Sequence, residues 1–156
     1  MPKKQFTPVP SSLEDIAYIA GLFDGEGWIT INHNKINGWS HYQLMVGINM
    51  TDPRALRMVA ARFGGFFKLQ ERKKETHRPL HSWVVGSQMA FDFLRKVYPF
   101  LRVKGDEATL AMAFQARIDR RVTGKYRFEG KLSAEEILCR DACRIELTRL
   151  KHVIHP

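Results

Sequence analysis

The sequence predicts an α+β domain in which helices cover one face of an antiparallel sheet. Two pairs of strand-like segments occur in the chain, and each pair is joined by a short polar stretch, as in a β-hairpin rather than a βαβ unit. Helical patterns precede, separate and follow the hairpins. With 156 residues, 44% of them hydrophobic, the chain is long enough for one domain with a substantial core. The predicted order is α, ββ, α, ββ, α, α, α.

The first helix follows an N-terminal arm over residues 1–11. Ser11 and Glu14 have the spacing of a capping box, which predicts where the helix begins. Apolar residues then recur at helical intervals as far as Phe23, and the glycines that end at Gly27 predict its end.

The first hairpin is predicted from Trp28 to Lys35 and from His41 to Met50, with a turn at Asn37. Asn followed by Gly is a strong signal for a two-residue hairpin turn. The second strand alternates cleanly, which predicts one apolar face and one polar face.

The remaining elements are marked by their boundary residues. Asp52 is a predicted N-cap for a helix to about Phe63, and strands over 66–72 and 80–86 form the second hairpin. Helices follow over 88–98, 106–121 and 134–151. The last two helices are predicted to face the core through Met112, Phe114, Ile118, Leu138, Ala142 and Ile145.

The charge of the chain indicates the class of its partner. Lys and Arg number 25 against 16 Asp and Glu, which gives a net charge of +9 and favours a polyanion, nucleic acid before an acidic membrane surface. No apolar run has the length of a membrane span and none resembles a secretory signal. We therefore expect an intracellular protein of the cytoplasm, nucleoid or an organelle matrix, neither secreted nor bound to membrane.

Residues 18–27, Tyr-Ile-Ala-Gly-Leu-Phe-Asp-Gly-Glu-Gly, combine two unusual features. Ala17, Gly21 and Gly25 lie four apart, so one stripe of the helix is almost free of side chains and a second helix could approach it closely. Asp24 and Glu26 place two carboxylates at the negative end of the helix dipole, which favours a bound cation such as Mg²⁺. The alternatives are an ordinary core helix and two acids in a solvated turn.

This segment resembles the LAGLIDADG motif of the homing endonucleases in register, and the element order matches that family's αββαββα core almost to residue 120. The resemblance implies one endonuclease domain over 1–156, with an antiparallel β-saddle covered by helices on one face. A further C-terminal helix over 133–152 lies outside the match. Single-motif members are homodimers whose motif helices pack together, so the predicted dimer contacts are Ala17, Ala20, Gly21 and Leu22.

The resemblance also implies site residues. Glu26 is the expected metal ligand, aided by the Gly25 carbonyl, with Mg²⁺ as the cofactor and Mn²⁺ as a substitute. Asp52 falls where the family keeps a polar residue that holds the attacking water; the alternative interpretation is a helix N-cap, since Asp before Pro commonly has that role. Lys104 falls where single-motif members carry a basic residue near the scissile phosphate. The predicted catalytic residues are therefore Glu26, Asp52 and Lys104.

The polar face of the predicted sheet is rich in amides and basic residues, which suit base edges in the major groove and phosphates. The predicted DNA contacts are Thr30, Asn32, Asn34, Gln43, Asn49, Lys68, Gln70, Arg72, Lys73, Lys74 and Ser82.

The resemblance implies a sequence-specific double-strand DNA endonuclease that serves intron homing. It would hydrolyse a long pseudo-palindromic site and leave short 3′ overhangs. Two alternatives use the same fold: an RNA maturase that assists intron splicing and binds RNA, and a DNA-binding regulator without catalysis. Glu26 and Lys104 together favour the enzyme.

Overall fold

The fold comes from a computed structural model that describes residues 9–70, 78–121 and 131–155. Its elements follow the predicted order. They are α1 (Leu13–Glu26), β1 (Gly27–Ile36), β2 (Trp39–Met50), α2 (Pro53–Phe63), β3 (Phe66–Gln70), β4 (Leu80–Gly86), α3 (Ser87–Val97), a 3₁₀ turn (Tyr98–Phe100), α4 (Gly105–Arg121) and α5 (Ala134–Lys151).

The four strands form one antiparallel sheet in the order β1-β2-β4-β3. Asn37 and Gly38 both have positive φ, 51° and 79°, as a two-residue hairpin turn with right-handed strand twist requires. The predicted first hairpin is therefore confirmed. Because β4 returns beside β2, the two hairpins meet along their inner strands.

The core lies between the helices and one face of the sheet. Alternate residues of β2, Leu44, Val46 and Ile48, are fully buried there, as the sequence pattern predicts. Phe93 of α3 contacts the rings of Phe23, Phe63 and Trp83 with centroids 4.9–5.1 Å apart. The buried Trp83 indole donates its N–H to the Gly64 carbonyl at 2.7 Å, so burial leaves no polar atom of the indole unpaired.

The start of α1 differs from the prediction by one residue. Ser12, rather than Ser11, is the N-cap, and its hydroxyl accepts from the Asp15 backbone N–H at 3.2 Å. Asp15 also pairs with Arg62 of α2 at 2.6 Å. Ser12 thus bonds the backbone of Asp15, and the Asp15 carboxylate is available for its ion pair with Arg62.

The orientation of α5 also differs from the prediction. Leu138 and Ile145 are 70% and 71% exposed, and Ala142 is exposed, so the prediction that these three residues face the core was wrong. The buried side of α5 instead presents Glu136, Arg140 and Leu147.

A buried ion pair explains this orientation. Arg140 is fully buried, and its Nε donates to Glu136 at 2.9 Å, while Arg117 of α4 donates to the same carboxylate at 2.7 Å. The Arg117 guanidinium and then Arg140 lower the pKa of Glu136 to about 2, against the effect of burial. A polar cluster thus joins α5 to α4 where the sequence predicts an apolar seam.

Among the residues that the structure describes, no helix is both long and apolar enough to cross a membrane.

Candidate active site and nucleic-acid interface

The end of α1 is fixed by a close contact between helix and strand. The Gly27 N–H bonds to the Phe23 carbonyl, and a Cβ added at Gly27 would lie 2.1 Å from Phe23 Cδ2. Only glycine fits at this point, so β1 begins directly after the last helical residue. The carboxylate of Glu26 is therefore exposed at the junction of helix and sheet.

Asp24 connects this junction to the loop before α4. Its two carboxylate oxygens accept from the backbone N–H groups of Arg102 and Lys104 at 2.7 and 3.0 Å. The Lys104 ammonium donates to the Asp24 carbonyl at 2.6 Å. Asp24, two residues before Glu26, thus holds Lys104 against the end of α1. Asp24 is therefore a positioning residue.

The donor set at this helix end suits a hard divalent cation. Glu26 offers an exposed carboxylate, and the last carbonyls of a helix have no intrahelical donor, which applies to Gly25. Mg²⁺ accepts such oxygen ligands and keeps several waters, so it needs few from the protein. Within the described ranges, no group of three or more His, Cys, Asp or Glu side chains could enclose a metal. Glu26 and Gly25 therefore fit an open site completed by water and phosphate.

Asp52 accepts hydrogen bonds from both the backbone and the side chain of Arg54. Its carboxylate accepts from the Arg54 backbone N–H at 2.9 Å and pairs with the Arg54 guanidinium at 2.5 Å. These hydrogen bonds lower the pKa of Asp52 to about 2. The geometry is that of a helix N-cap, and no described contact brings Asp52 to Glu26 or Lys104. The partner of Asp52, Arg54, was not predicted from the sequence. Its guanidinium is 86% exposed beside Asp52, and its place just after Asp-Pro puts it in the first turn of α2.

The sheet face turned away from the helices, here called the open face, carries most of the predicted DNA contacts. Asn32 and Gln43 are opposite each other on β1 and β2, and both are exposed. Other residues on this face are Thr30, which is half-buried, and the exposed Asn34, Lys68 and Gln70. Arg72, Lys73 and Lys74 lie outside the described residues.

Ser82 is only 2% exposed, which corrects its predicted direct contact with DNA. Its hydroxyl hydrogen-bonds the Asn49 side chain across the β2–β4 ladder. With the Asn49 nitrogen donating to Ser82, the Asn49 oxygen accepts from the Trp28 indole N–H at 3.3 Å. Ser82 therefore fixes Asn49 from the neighbouring strand, and the half-buried Asn49 is the more accessible side chain of the two.

Trp28, which was not among the predicted DNA contacts, also lies on this face. Its ring lies over Gly47, where an added Cβ would be 2.4 Å from Trp28 Cζ2. The signal was present, because Trp28 alternates with Thr30 and Asn32 along β1. Trp28 is a half-buried aromatic surface two residues from Glu26.

The exposed side of α1 retains three of the four predicted dimer residues. Ala17 and Gly21 are exposed and Leu22 is half-buried, and nothing lies within 4 Å of a Cβ added at Gly21 or Gly25. Ala20 is fully buried in the chain's own core, so the prediction that it contacts a partner helix is corrected.

Comparisons with known proteins show the family of the chain and the likeness of its fold. A family model described as a LAGLIDADG-like domain matches residues 14–98. The archaeal intron-encoded homing endonuclease I-Vdi141I, solved in complex with DNA, superposes with a TM-score of 0.68 at 15% identity, over 91% of this chain and 87% of that chain. The homing endonuclease I-TnaI gives 0.62 at 15% identity, over 93% and 95%.

The homing endonuclease I-CvuI, solved with its target in the presence of calcium, gives a TM-score of 0.56 at 15% identity, over 92% of this chain and 100% of that chain. At these identities the likeness is one of fold, and it confirms the predicted α+β architecture. The comparison with curated protein sequences found no match.

Proposed function

Since this chain belongs to the LAGLIDADG-like domain family, we propose that it is a sequence-specific, metal-dependent DNA endonuclease that acts as a homodimer. The observation that carries this proposal is the junction at the end of α1. There the Asp24 carboxylate holds the loop of Lys104, and the Lys104 ammonium lies 2.6 Å from the Asp24 carbonyl, next to the exposed Glu26. A carboxylate and an ammonium at one helix end are suited to phosphodiester hydrolysis.

Each residue has a distinct part in this reaction. The Glu26 carboxylate and Gly25 carbonyl bind a divalent ion, for which we propose Mg²⁺, with Mn²⁺ as a substitute. The chemistry such an ion supplies is activation of water for attack on phosphorus. Lys104 contributes positive charge as the 3′ oxygen leaves, and Asp24 keeps Lys104 in place.

The open face supports the choice of DNA as substrate. Asn and Gln side chains can form paired hydrogen bonds with adenine, and Lys68 can contact guanine or phosphate. The net charge of +9 favours binding to a polyanion. We therefore propose that β1 and β2 enter the major groove and that their amide side chains read base edges.

Dimerisation through α1 would bring two Glu26 residues near one two-fold axis. Two sites so placed can reach both strands across a minor groove, so we propose a staggered cut with short 3′ overhangs in a pseudo-palindromic site. Gly21→Leu should abolish the dimer and leave the monomer folded, because nothing lies within 4 Å of the added Cβ. Light scattering after gel filtration measures this, with Ala113→Leu on exposed α4 surface as the control.

The test of activity uses DNA that joins the two sequences flanking this protein's own gene. We expect a double-strand cut that needs Mg²⁺, is abolished by EDTA and leaves matched 3′ overhangs. Glu26→Gln should lower the cleavage rate by at least about 100-fold while DNA binding changes little. Glu14→Gln, the same change at the other end of α1, is the control. A Glu26→Gln variant that still cuts would overturn the metal-binding role, and binding without a cut would favour the regulator.

A further inference from the structure

The C-terminal helix α5 covers the free edge of β1. Among the strands that the structure describes, β1 is terminal in the sheet, and none of them lies beside its outer carbonyls. Arg144 Nε donates to the Ile31 carbonyl at 3.2 Å, and Lys151 Nζ donates to the Ile29 carbonyl at 2.5 Å. These two carbonyls are two residues apart and point to the same side of the strand. Basic side chains of α5 therefore take the place of a neighbouring strand's N–H groups.

A second contact joins α5 to β2. Tyr42 donates its hydroxyl to Asp141 Oδ1 at 3.0 Å, and Arg144 donates to the same oxygen at 3.0 Å. The Tyr42 ring stacks on His33, its partner across the β1–β2 ladder, with centroids 4.3 Å apart and an interplanar angle of 5°. One tyrosine thus connects both strands of the hairpin to the helix.

Apart from the one at Ile29, these contacts fall beyond the ladder that joins the first hairpin to the second. Within the described residues, the ladder between β2 and β4 runs from Met45 to Met50, whereas the β1–β2 ladder continues to the turn. The outer half of the hairpin, residues 31–44, therefore projects beyond β4. A two-stranded hairpin is marginally stable alone, so its position depends on the helices that pack beneath it.

The outer half of the hairpin also carries a group of the predicted base contacts. Asn32 and Asn34 flank His33 in sequence, and Gln43 follows Tyr42, so each amide projects from the open face directly beside a residue anchored below. A change in how α5 holds His33 and Tyr42 moves the amides on the opposite face, because successive side chains of a strand share one backbone.

Building on the proposed function, we infer that α5 positions the hairpin for base readout, with Tyr42 and Asp141 as positioning residues for sequence specificity. The hydrogen bond between them fixes the outer half of the hairpin against the DNA. It does not touch the reacting groups at Glu26. Its loss should relax discrimination at the base pairs that Asn32, Asn34 and Gln43 contact and leave the central base pairs as strictly read as before.

Tyr42→Phe tests this inference, because it removes the hydroxyl and keeps the stacked ring. Hydrogen exchange on the free protein should show amides of residues 31–44 exchanging about five- to tenfold faster, with β4 unchanged. Cleavage rates on single-substituted target sites should show several-fold weaker discrimination at outer positions only. Tyr98→Phe is the matched control, since Tyr98 accepts a hydrogen bond from Thr109 at 3.1 Å away from the hairpin.

Asp141→Asn distinguishes positioning from a general loss of structure. The amide oxygen still accepts from Tyr42, so discrimination should remain close to wild type, whereas Asp141→Ala should resemble Tyr42→Phe. Unchanged hairpin exchange in Tyr42→Phe, or an equal loss at all positions of the site, would overturn the inference. If the wild-type protein binds no DNA, the proposed function is overturned together with this inference. If the wild type discriminates among target sites and Tyr42→Phe discriminates equally well, this inference alone is overturned.

Discussion

Replacing Glu136 by Gln should destabilise the protein strongly, although the change removes no atoms from the core. Glu136 is 2% exposed and Arg140 fully buried, so the substitution removes the negative charge from a buried ion pair. Breaking a buried ion pair from one side costs about 3–5 kcal/mol. The Arg117 and Arg140 guanidinium groups lower the pKa of Glu136 to about 2, which is the direction expected of a carboxylate stabilised by these partners.

The assay is thermal and urea unfolding followed by circular dichroism at one fixed protein concentration. For a chain of this length, a loss of 3–5 kcal/mol lowers the midpoint temperature by roughly 10 °C. Glu135→Gln is the control, because Glu135 precedes Glu136 on α5 and is exposed. It should change the midpoint by about 1 °C or less.

A double variant separates the charge left behind from the lost hydrogen bonds. Glu136→Leu with Arg140→Met replaces the buried pair by apolar side chains and should recover most of the lost stability, because it removes both charges of the pair together. A loss below about 1 kcal/mol in Glu136→Gln would refute the reasoning. So would a double variant less stable than the single one.

Three other predictions use the same structure. The pKa of Glu136 in the folded protein lies below its value in the unfolded chain, so its stabilising contribution is complete above about pH 4.5 and is lost as pH falls towards 2. The urea midpoint should therefore fall over this pH range in the wild type more than in Glu136→Gln. Gly47→Ala should cost about 1–3 kcal/mol in urea unfolding, because its Cβ would lie 2.4 Å from Trp28 Cζ2, whereas Gly105→Ala, with nothing within 4 Å of its Cβ, should cost none. Lys104→Met should slow DNA cleavage by about 100-fold with little change in binding, measured in single-turnover assays; an unchanged rate would contradict the role of its ammonium.

The sequence predicts most of the fold because its signals are local. The Asn37–Gly38 turn, the Asp52 cap and the alternation along β2 each depend on neighbours within a few residues, and the structure confirms all three. The Asp24 contacts with Arg102 and Lys104 join residues about 80 apart, so no local pattern predicts their geometry. The motif resemblance placed Lys104 near the site, and only the structure shows the hydrogen bonds that hold it.

The prediction for α5 was wrong for a physical reason, and the same reason explains how α5 supports the first hairpin. Burial arguments assign Leu138 and Ile145 to the core because apolar side chains gain most from leaving water. That rule fails when buried charges hydrogen-bond one another, as Glu136 does with Arg140 and Arg117. In this orientation α5 also presents Asp141, Arg144 and Lys151 to the hairpin. Apolar side chains in their place would leave the outer carbonyls of Ile29 and Ile31 without these donors. The polar inner side of α5 is therefore what allows a helix to cover a strand edge and support the surface proposed to read DNA.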